Sequence, residues 1–164
     1  LDQHDISKLN ESELAQIRGR KIGFIFQQFN LIPTLTALEN IMLPMIFQGM
    51  GESERIERAV KLLELVDLGD RIHHKPTELS GGQQQRVAIA RSLANNPEVV
   101  LADEPTGNLD SKTGANVLEF LQKLHKKENK TIVMVTHDAN LSNVAERIEF
   151  LKDGKIVKSL NNNR

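Results

Sequence analysis

Cysteine, tryptophan and tyrosine are all absent from this sequence of 164 residues. Without cysteine there is no disulfide framework, no thiolate nucleophile and no thiolate metal ligand, an absence that suits a reducing compartment. Aromatic residues amount to only 4%, all phenylalanine, too few to build stacking platforms for single-stranded nucleic acid. An excess of charge is lacking too. With 21 basic and 22 acidic residues the net charge is −1, which leaves no broad electrostatic footprint for DNA or RNA. Nucleic acid is therefore not expected as the primary ligand. Long apolar runs are also missing: "IMLPMIF" at 41–47 is far too short to cross a bilayer. The opening "LDQHDISKLN" has neither an initiator methionine nor a basic-then-apolar signal pattern, and it reads as a chain that begins mid-domain.

What remains is an ordinary globular composition, 39% apolar and 26% charged, of a length suited to one domain or one domain of two lobes. "NESELAQIRG" predicts a short helix with Asn10 as N-cap, Glu13 completing a capping box and Gly19 as the stop. "KIGFIFQ" at 21–27 predicts a short buried strand. Thr36 and Glu39 form a second capping box, opening an apolar helix that Pro44 should kink or end. From Glu52 to Val66, Ile56, Ala59, Val60 and Leu63 fall at helical spacing. After Pro97 the texture changes. "EVVLADEP" and "TIVMVTHD" are β-branched runs without alternation, which predicts strands buried on both faces, with an amphipathic helix between them. Strand, helix, strand implies a βαβ unit and a parallel sheet. Asp153-Gly154 marks a hairpin near the end, and the tail "NNNR" is expected to fray.

Three places carry candidate chemistry. In "LSGGQQQR" (79–86), Ser80 caps a helix with Gln83 at its third position, and capping could be its whole purpose. Yet Gly81 and Gly82 occupy the first helical positions, where each weakens the helix by roughly 1 kcal/mol relative to Ala. Bare amides at the positive end of a helix admit an anion, and a capping hydroxyl can still donate to a phosphate oxygen. In "VVLADEP" a strand ends in Asp103 and Glu104, a pair that could hold Mg²⁺ and polarise a water. Alone, two acids before a proline are an ordinary turn. "VTHD" ends a second strand in His137, which alone is an ordinary structural polar group. If the strands ending at Gln27, Asp103-Glu104 and His137 are parallel neighbours, their polar ends converge on one crevice. Together they favour a phosphoryl site.

The same segments carry a family resemblance. "LSGGQQQR" resembles the signature motif of ATP-binding-cassette ATPases, "VVLADEP" their Walker B strand, "GNLD" their D-loop, "VTHD" their switch histidine and "FQQFNLIP" their Q-loop. Order and spacing agree over nearly the whole chain. "FNLIPTLTALENIMLP", "HKPTELSGGQQQRVAIARSLANNP" and "ADEPTGNLDSKTG" look most like the lipoprotein-releasing and macrolide-export branch. The resemblance implies an α/β fold: part of a P-loop NTPase (RecA-like) parallel sheet core with an inserted α-helical subdomain. Residues 1–28 would belong to the core and end in the Q-loop, 29–92 would form the helical subdomain with the signature motif, and 93–164 would return to the core.

It further implies ATP and Mg²⁺ as cofactors. Gln27 would reach the metal and the attacking water and sense a membrane partner. Asp103 would serve Mg²⁺, Glu104 would be the general base and His137 would contact the γ-phosphate. Asp110 would communicate across a dimer, and Ser80, Gly81, Gly82 and Gln83 would close on the nucleotide of a second, head-to-tail subunit. The partners implied are that second subunit and a transmembrane permease, with the chain peripheral on the cytoplasmic face of the membrane. One departure is large: no G-x-x-x-x-G-K followed by Ser or Thr occurs, nor the family's adenine-stacking aromatic. A longer parent protein is expected to carry both, and this chain by itself is expected to be inactive. Two other classes stay in view: a non-transport ABC ATPase of DNA repair or chromosome maintenance, and a regulatory fragment lending only its signature face.

Overall fold

The computed structural model describes residues 10–137 and 144–162, so the expectations for the first nine residues and the last two lie outside the described part. The first helix, α1 (Glu11–Lys21), starts on the capping box expected from Asn10 and Glu13, each side chain accepting the other's backbone N–H at 2.9 Å. Gly19 does not end it. A glycine costs a helix only about 1 kcal/mol, and Arg18, Arg20 and Lys21 in the last turn complement the helix dipole. The chain passes directly into β1 (Ile22–Ile25), shorter than the expected 21–27.

Three further helices follow: α2 (Ala37–Phe47), α3 (Glu52–Leu65) and α4 (Gly81–Ser92), with two short 3-10 turns between α3 and α4. Thr36 and Glu39 form the capping box of α2. Pro44 does not terminate that helix, which runs on to Phe47. A proline inside a helix costs about 3 kcal/mol, but burying an Ile or Met side chain returns about 1.5–3 kcal/mol each. Ile41 and Met45 flank Pro44 and are fully buried, so packing outweighs the lost hydrogen bond. The core lies where α2, α3 and α4 meet, around Ile41, Met45, Leu63, Val87 and Ile89, and it continues through Ile25 and Val100 to Val117 and Leu121 of α5 (Ser111–Glu128).

β2 (Val99–Asp103) lies between β1 and β3 (Thr131–Val135), parallel to both. Ile25 sits beside Ala102, and Asp103 beside Val135. The carboxyl ends of all three strands therefore emerge along one edge. Burial alternates along the strands, contrary to the expectation of burial on both faces. Gly23, Ile25, Val100 and Ala102 face the helices, while Phe24, Val133 and Val135 stay exposed because no described element covers the second face. Phe24 stacks instead on Phe26, ring centroids 6.1 Å apart.

The chain ends in an antiparallel hairpin, β4 (Arg147–Lys152) with β5 (Lys155–Asn161). Its turn residues Asp153 and Gly154 both have positive φ, +50° and +75°, as a two-residue turn of the I′ type requires. Asn161, expected to fray, is the last residue of β5.

Candidate functional site

Two clusters of candidate residues form, at different places. The first lies on the edge where the parallel strands end. Glu104 follows β2 in the left-handed region, φ +44°, a conformation that costs a non-glycine residue energy and collects at functional sites. Its backbone N–H is held by the Val135 carbonyl at 2.9 Å. The carboxylate then turns toward the end of β3. Oε1 accepts the backbone N–H of His137 at 2.9 Å and lies 2.6 Å from the ring Nδ1; Oε2 accepts the Thr136 hydroxyl at 3.1 Å. Burial pushes the Glu104 carboxyl up, but the donors from His137 and Thr136 outweigh it and hold the group below the ordinary carboxylate value. It is therefore ionised at neutral pH, and the His137 imidazole beside it is exposed.

Gln27 joins this edge from β1. Asn108, in the loop after Glu104, donates its side-chain amide to the Gln27 carbonyl at 2.9 Å. The segment following Gln27 is pinned from two sides. Arg91 of α4 donates to the carbonyls of Phe29 and Asn30, and buried Asn40 of α2 binds the backbone of Ile32 and Leu35. Asp103 precedes Glu104 and is exposed. Among the described residues no three His, Asp or Glu side chains gather as a metal cage. A lone exposed carboxylate of this kind fits Mg²⁺, which binds one or two carboxylates and takes its remaining ligands from phosphate and water.

The second cluster lies at the start of α4. Ser80 caps that helix: its Oγ accepts the Gln83 N–H at 3.3 Å, and Gln83 Oε1 accepts the Ser80 N–H at 2.8 Å. The cap uses the hydroxyl oxygen as acceptor, so its proton can be donated outward. Gly82 has an intrachain reason besides any ligand: a Cβ there would lie 2.3 Å from Thr113 Cγ2. Thr113 is itself fixed by Asp110, the N-cap of α5, whose carboxylate accepts the Thr113 N–H at 3.1 Å and the Thr113 hydroxyl at 2.5 Å. Ser80, Gly82, Gln83 and Thr113 line a groove of about 420 Å³, with Arg86 and Lys123 on its walls. The signature helix and the loop ending at Asp110 thus share one surface.

Three residues that hold the first cluster in place went unnoticed in the sequence: Arg91, Thr136 and Gln85. Gln85 is fully buried and donates to the Pro105 carbonyl at 2.6 Å, tying α4 to the loop after Glu104. Helical spacing carried a signal for it, since Gln85 stands four and seven residues before the buried Ile89 and Ser92.

Comparison with known proteins supplies the family. Residues 1–107 match the ABC transporter family model. An ABC transporter ATP-binding protein of Thermotoga maritima is 56% identical over 156 residues, 95% of this chain and 66% of that protein. The macrolide export ATP-binding/permease protein MacB of Aggregatibacter actinomycetemcomitans is 52% identical over 96% of this chain, which spans 24% of it. The ATP-binding cassette MJ0796, solved as a dimer in a post-hydrolysis state with ADP and Pi, superposes with a TM-score of 0.86 at 52% identity over 98% of this chain and 71% of that one. This chain thus spans about two thirds of the length of a separate ATP-binding protein. It belongs to the ATP-binding proteins of the ABC transporter family.

Proposed function

We propose that the protein is the ATP-hydrolysing subunit of an ABC transporter, coupling ATP-driven head-to-tail dimerisation to substrate export or lipoprotein extraction through a membrane permease. The observation that carries this reading is the convergence of Gln27, Asp103, Glu104 and His137 on the carboxyl edge of three adjacent parallel strands. In this scheme Asp103 holds Mg²⁺, which neutralises charge on the phosphates. Glu104 accepts the proton of the attacking water, Gln27 orients that water and His137 donates to the γ-phosphate. Ser80, Gly81, Gly82 and Gln83 serve the nucleotide held by the opposite subunit, and Asp110 carries contacts between the two. The helices α2 to α4 act as the lobe that moves with the permease, with residues 1–28 and 93–164 as the core.

A membrane-protein partner is supported by the apolar end of α2, where Phe47 is 82% exposed beside half-exposed Ile46. The similarity to MacB, named as an export ATP-binding/permease protein, supports the macrolide-export and lipoprotein-releasing branch. A permease partner places the chain on the cytoplasmic face of the membrane; no helix among the described residues is long and apolar enough to cross it.

The test is Glu104→Gln in a form of the protein carrying a phosphate-binding loop. The amide keeps the size of the carboxylate but accepts no proton, so turnover should fall by about 10²- to 10⁴-fold while ATP binding persists. An ATP-bound dimer should then accumulate on size exclusion. Near-normal turnover would remove Glu104 from the role of base. A second reading is carried by the groove that Ser80, Gly82 and Gln83 share with Thr113: these 164 residues lend only a signature face to another subunit. Nucleotide binding by the 164-residue chain alone, set against binding only beside a subunit with a phosphate-binding loop, separates the two.

A further inference from the structure

A carboxylate offers about four acceptor directions, two on each oxygen. At Glu104 three are taken from within the chain. Oε1 faces two donors on His137, the backbone N–H at 2.9 Å and the ring Nδ1 at 2.6 Å, and Oε2 accepts the Thr136 hydroxyl at 3.1 Å. Among the described residues no donor reaches the second direction on Oε2. His137 alone would leave the carboxylate free to rock about its contact at Oε1, with both directions of Oε2 open. The Thr136 hydroxyl removes that freedom.

We propose that Thr136 is a positioning residue for ATP hydrolysis: its hydroxyl fixes the Glu104 carboxylate so that one acceptor direction of Oε2 is presented to the attacking water. The inference rests on the reading of Glu104 as general base. The backbone supports the division of labour. The Val135 carbonyl accepts the Glu104 backbone N–H beside its left-handed conformation, and Thr136 follows Val135 directly at the end of β3. Adjacent residues at that strand end therefore bind the Glu104 main chain and its side chain. Thr136 is half-buried and its hydroxyl sits on a short β-branched side chain, so the contact does not depend on a long mobile side chain.

The experiment compares Thr136→Val, which keeps the β-branched shape without the donor, with Thr136→Ala and Thr136→Ser, all in a form of the protein carrying a phosphate-binding loop. Hydrogen bonds to charged groups are strong enough that Val and Ala should each lower kcat by about ten- to a hundredfold. KM for ATP should shift less than about twofold, because positioning the base does not touch ground-state binding. Serine should restore most of kcat. In the Glu104→Gln background, Thr136→Val should add little further loss, because a residue acting through the carboxylate has nothing left to position.

Unchanged kcat in both Val and Ala overturns the proposal. So does a serine variant as impaired as valine, or a full additional loss in the Glu104→Gln background, since either places the role of Thr136 elsewhere. If Glu104→Gln itself turns over normally, the general-base reading fails, and the inference with it. If Glu104→Gln stalls while Thr136→Val is unimpaired, only the positioning role is lost.

Discussion

Gln85, buried inside the signature helix, donates its side-chain amide to the carbonyl of Pro105, 2.6 Å away in the loop that follows Glu104. The bond ties α4 to the edge that carries Glu104 by a route independent of the sheet. Gln85 Oε1 finds no described partner, so the side chain is held by one bond and by packing. Gln85→Ala would leave the Pro105 carbonyl unpaired and a cavity beside it, for an expected loss of about 2–4 kcal/mol. Gln85→Met fills the space and also removes the unpartnered oxygen, so its cost should be about half as large. Urea unfolding of the two variants measures both. An alanine variant that unfolds at the wild-type urea concentration would show that the tie contributes nothing.

Gly82 and Thr113 make a second link, between the signature helix and the helix after Asp110. An added Cβ at Gly82 would lie 2.3 Å from Thr113 Cγ2. Thr113 can move that methyl only by rotating its hydroxyl away from Asp110, 2.5 Å distant. Overpacking costs about 1–3 kcal/mol, while alanine in place of glycine gains at most about 1 kcal/mol of helix propensity. The clash wins, and Gly82→Ala should be a net loss. Thr113→Ser deletes the methyl and keeps the hydroxyl. The double variant should therefore recover the stability lost by Gly82→Ala, and equal melting temperatures for the single and double variants would exclude this contact as the reason for the glycine.

His125, in the last turn of α5, bridges to the start of the terminal hairpin. Its Nδ1 lies 2.9 Å from the Lys130 carbonyl and its Nε2 lies 3.1 Å from Glu146. The Lys130 carbonyl, then Glu146, raise the imidazole above its ordinary value; burial and Lys126 act the other way. A group with a raised folded-state value contributes stability below its unfolded value and loses it as pH rises through the folded one. The bridge should therefore be fully present below about pH 6.5 and fade above it. Protection of the β4 and β5 amides, measured relative to their intrinsic exchange at each pH, should fall over that range in the wild type. His125→Gln should abolish that fall in protection, and an unchanged profile in that variant would assign it to another group.

Much of the fold around the candidate site was legible in the sequence because its signals are local. Capping boxes at Asn10, Thr36 and Ser80 need only two residues three apart, and all three form. The strands that lead to Gln27, Asp103 and His137 were readable from apolar and β-branched runs, and their parallel order brings the ends of β1, β2 and β3, at Ile25, Asp103 and Val135, to one edge. What escaped depends on contacts across the fold. Nothing local says that Gln85 reaches Pro105, that Thr136 faces Glu104, or that Arg91 holds the carbonyls of Phe29 and Asn30. Gly19 was misjudged as a stop, and of the two outcomes expected at Pro44, a kink or an end, the end does not occur: local propensity gives the cost of a residue, and the packing around it decides whether the helix continues. The glycines of "LSGGQQQR" were read as clearance for a phosphate, and the contact of Gly82 with Thr113 gives one of them a second reason, within its own chain.

That second reason makes Ser80 the sharper probe of the signature surface. Its hydroxyl caps α4 through an acceptor contact of 3.3 Å, while Gln83 independently holds the Ser80 N–H at 2.8 Å. Part of the cap therefore survives loss of the hydroxyl. Ser80→Arg, in a form carrying a phosphate-binding loop, should fold and bind ATP at its own site but lose turnover. The bulky cation would occupy the space needed by the opposite subunit's γ-phosphate and remove the donor, a loss that typically costs about 10²- to 10³-fold. Mixing this variant with one lacking the phosphate-binding lysine distinguishes a defect in trans from one in cis. In a mixed head-to-tail dimer, one composite site carries both defects and the other carries neither. Some activity should return, up to about half of the mixed dimers' sites where the two sites fire independently. Where they must fire together, turnover stays low, yet the mixture should still dimerise with ATP through its one intact site. A Ser80→Arg protein that dimerises with ATP and turns over at the wild-type rate would leave Ser80 as a helix cap and nothing more.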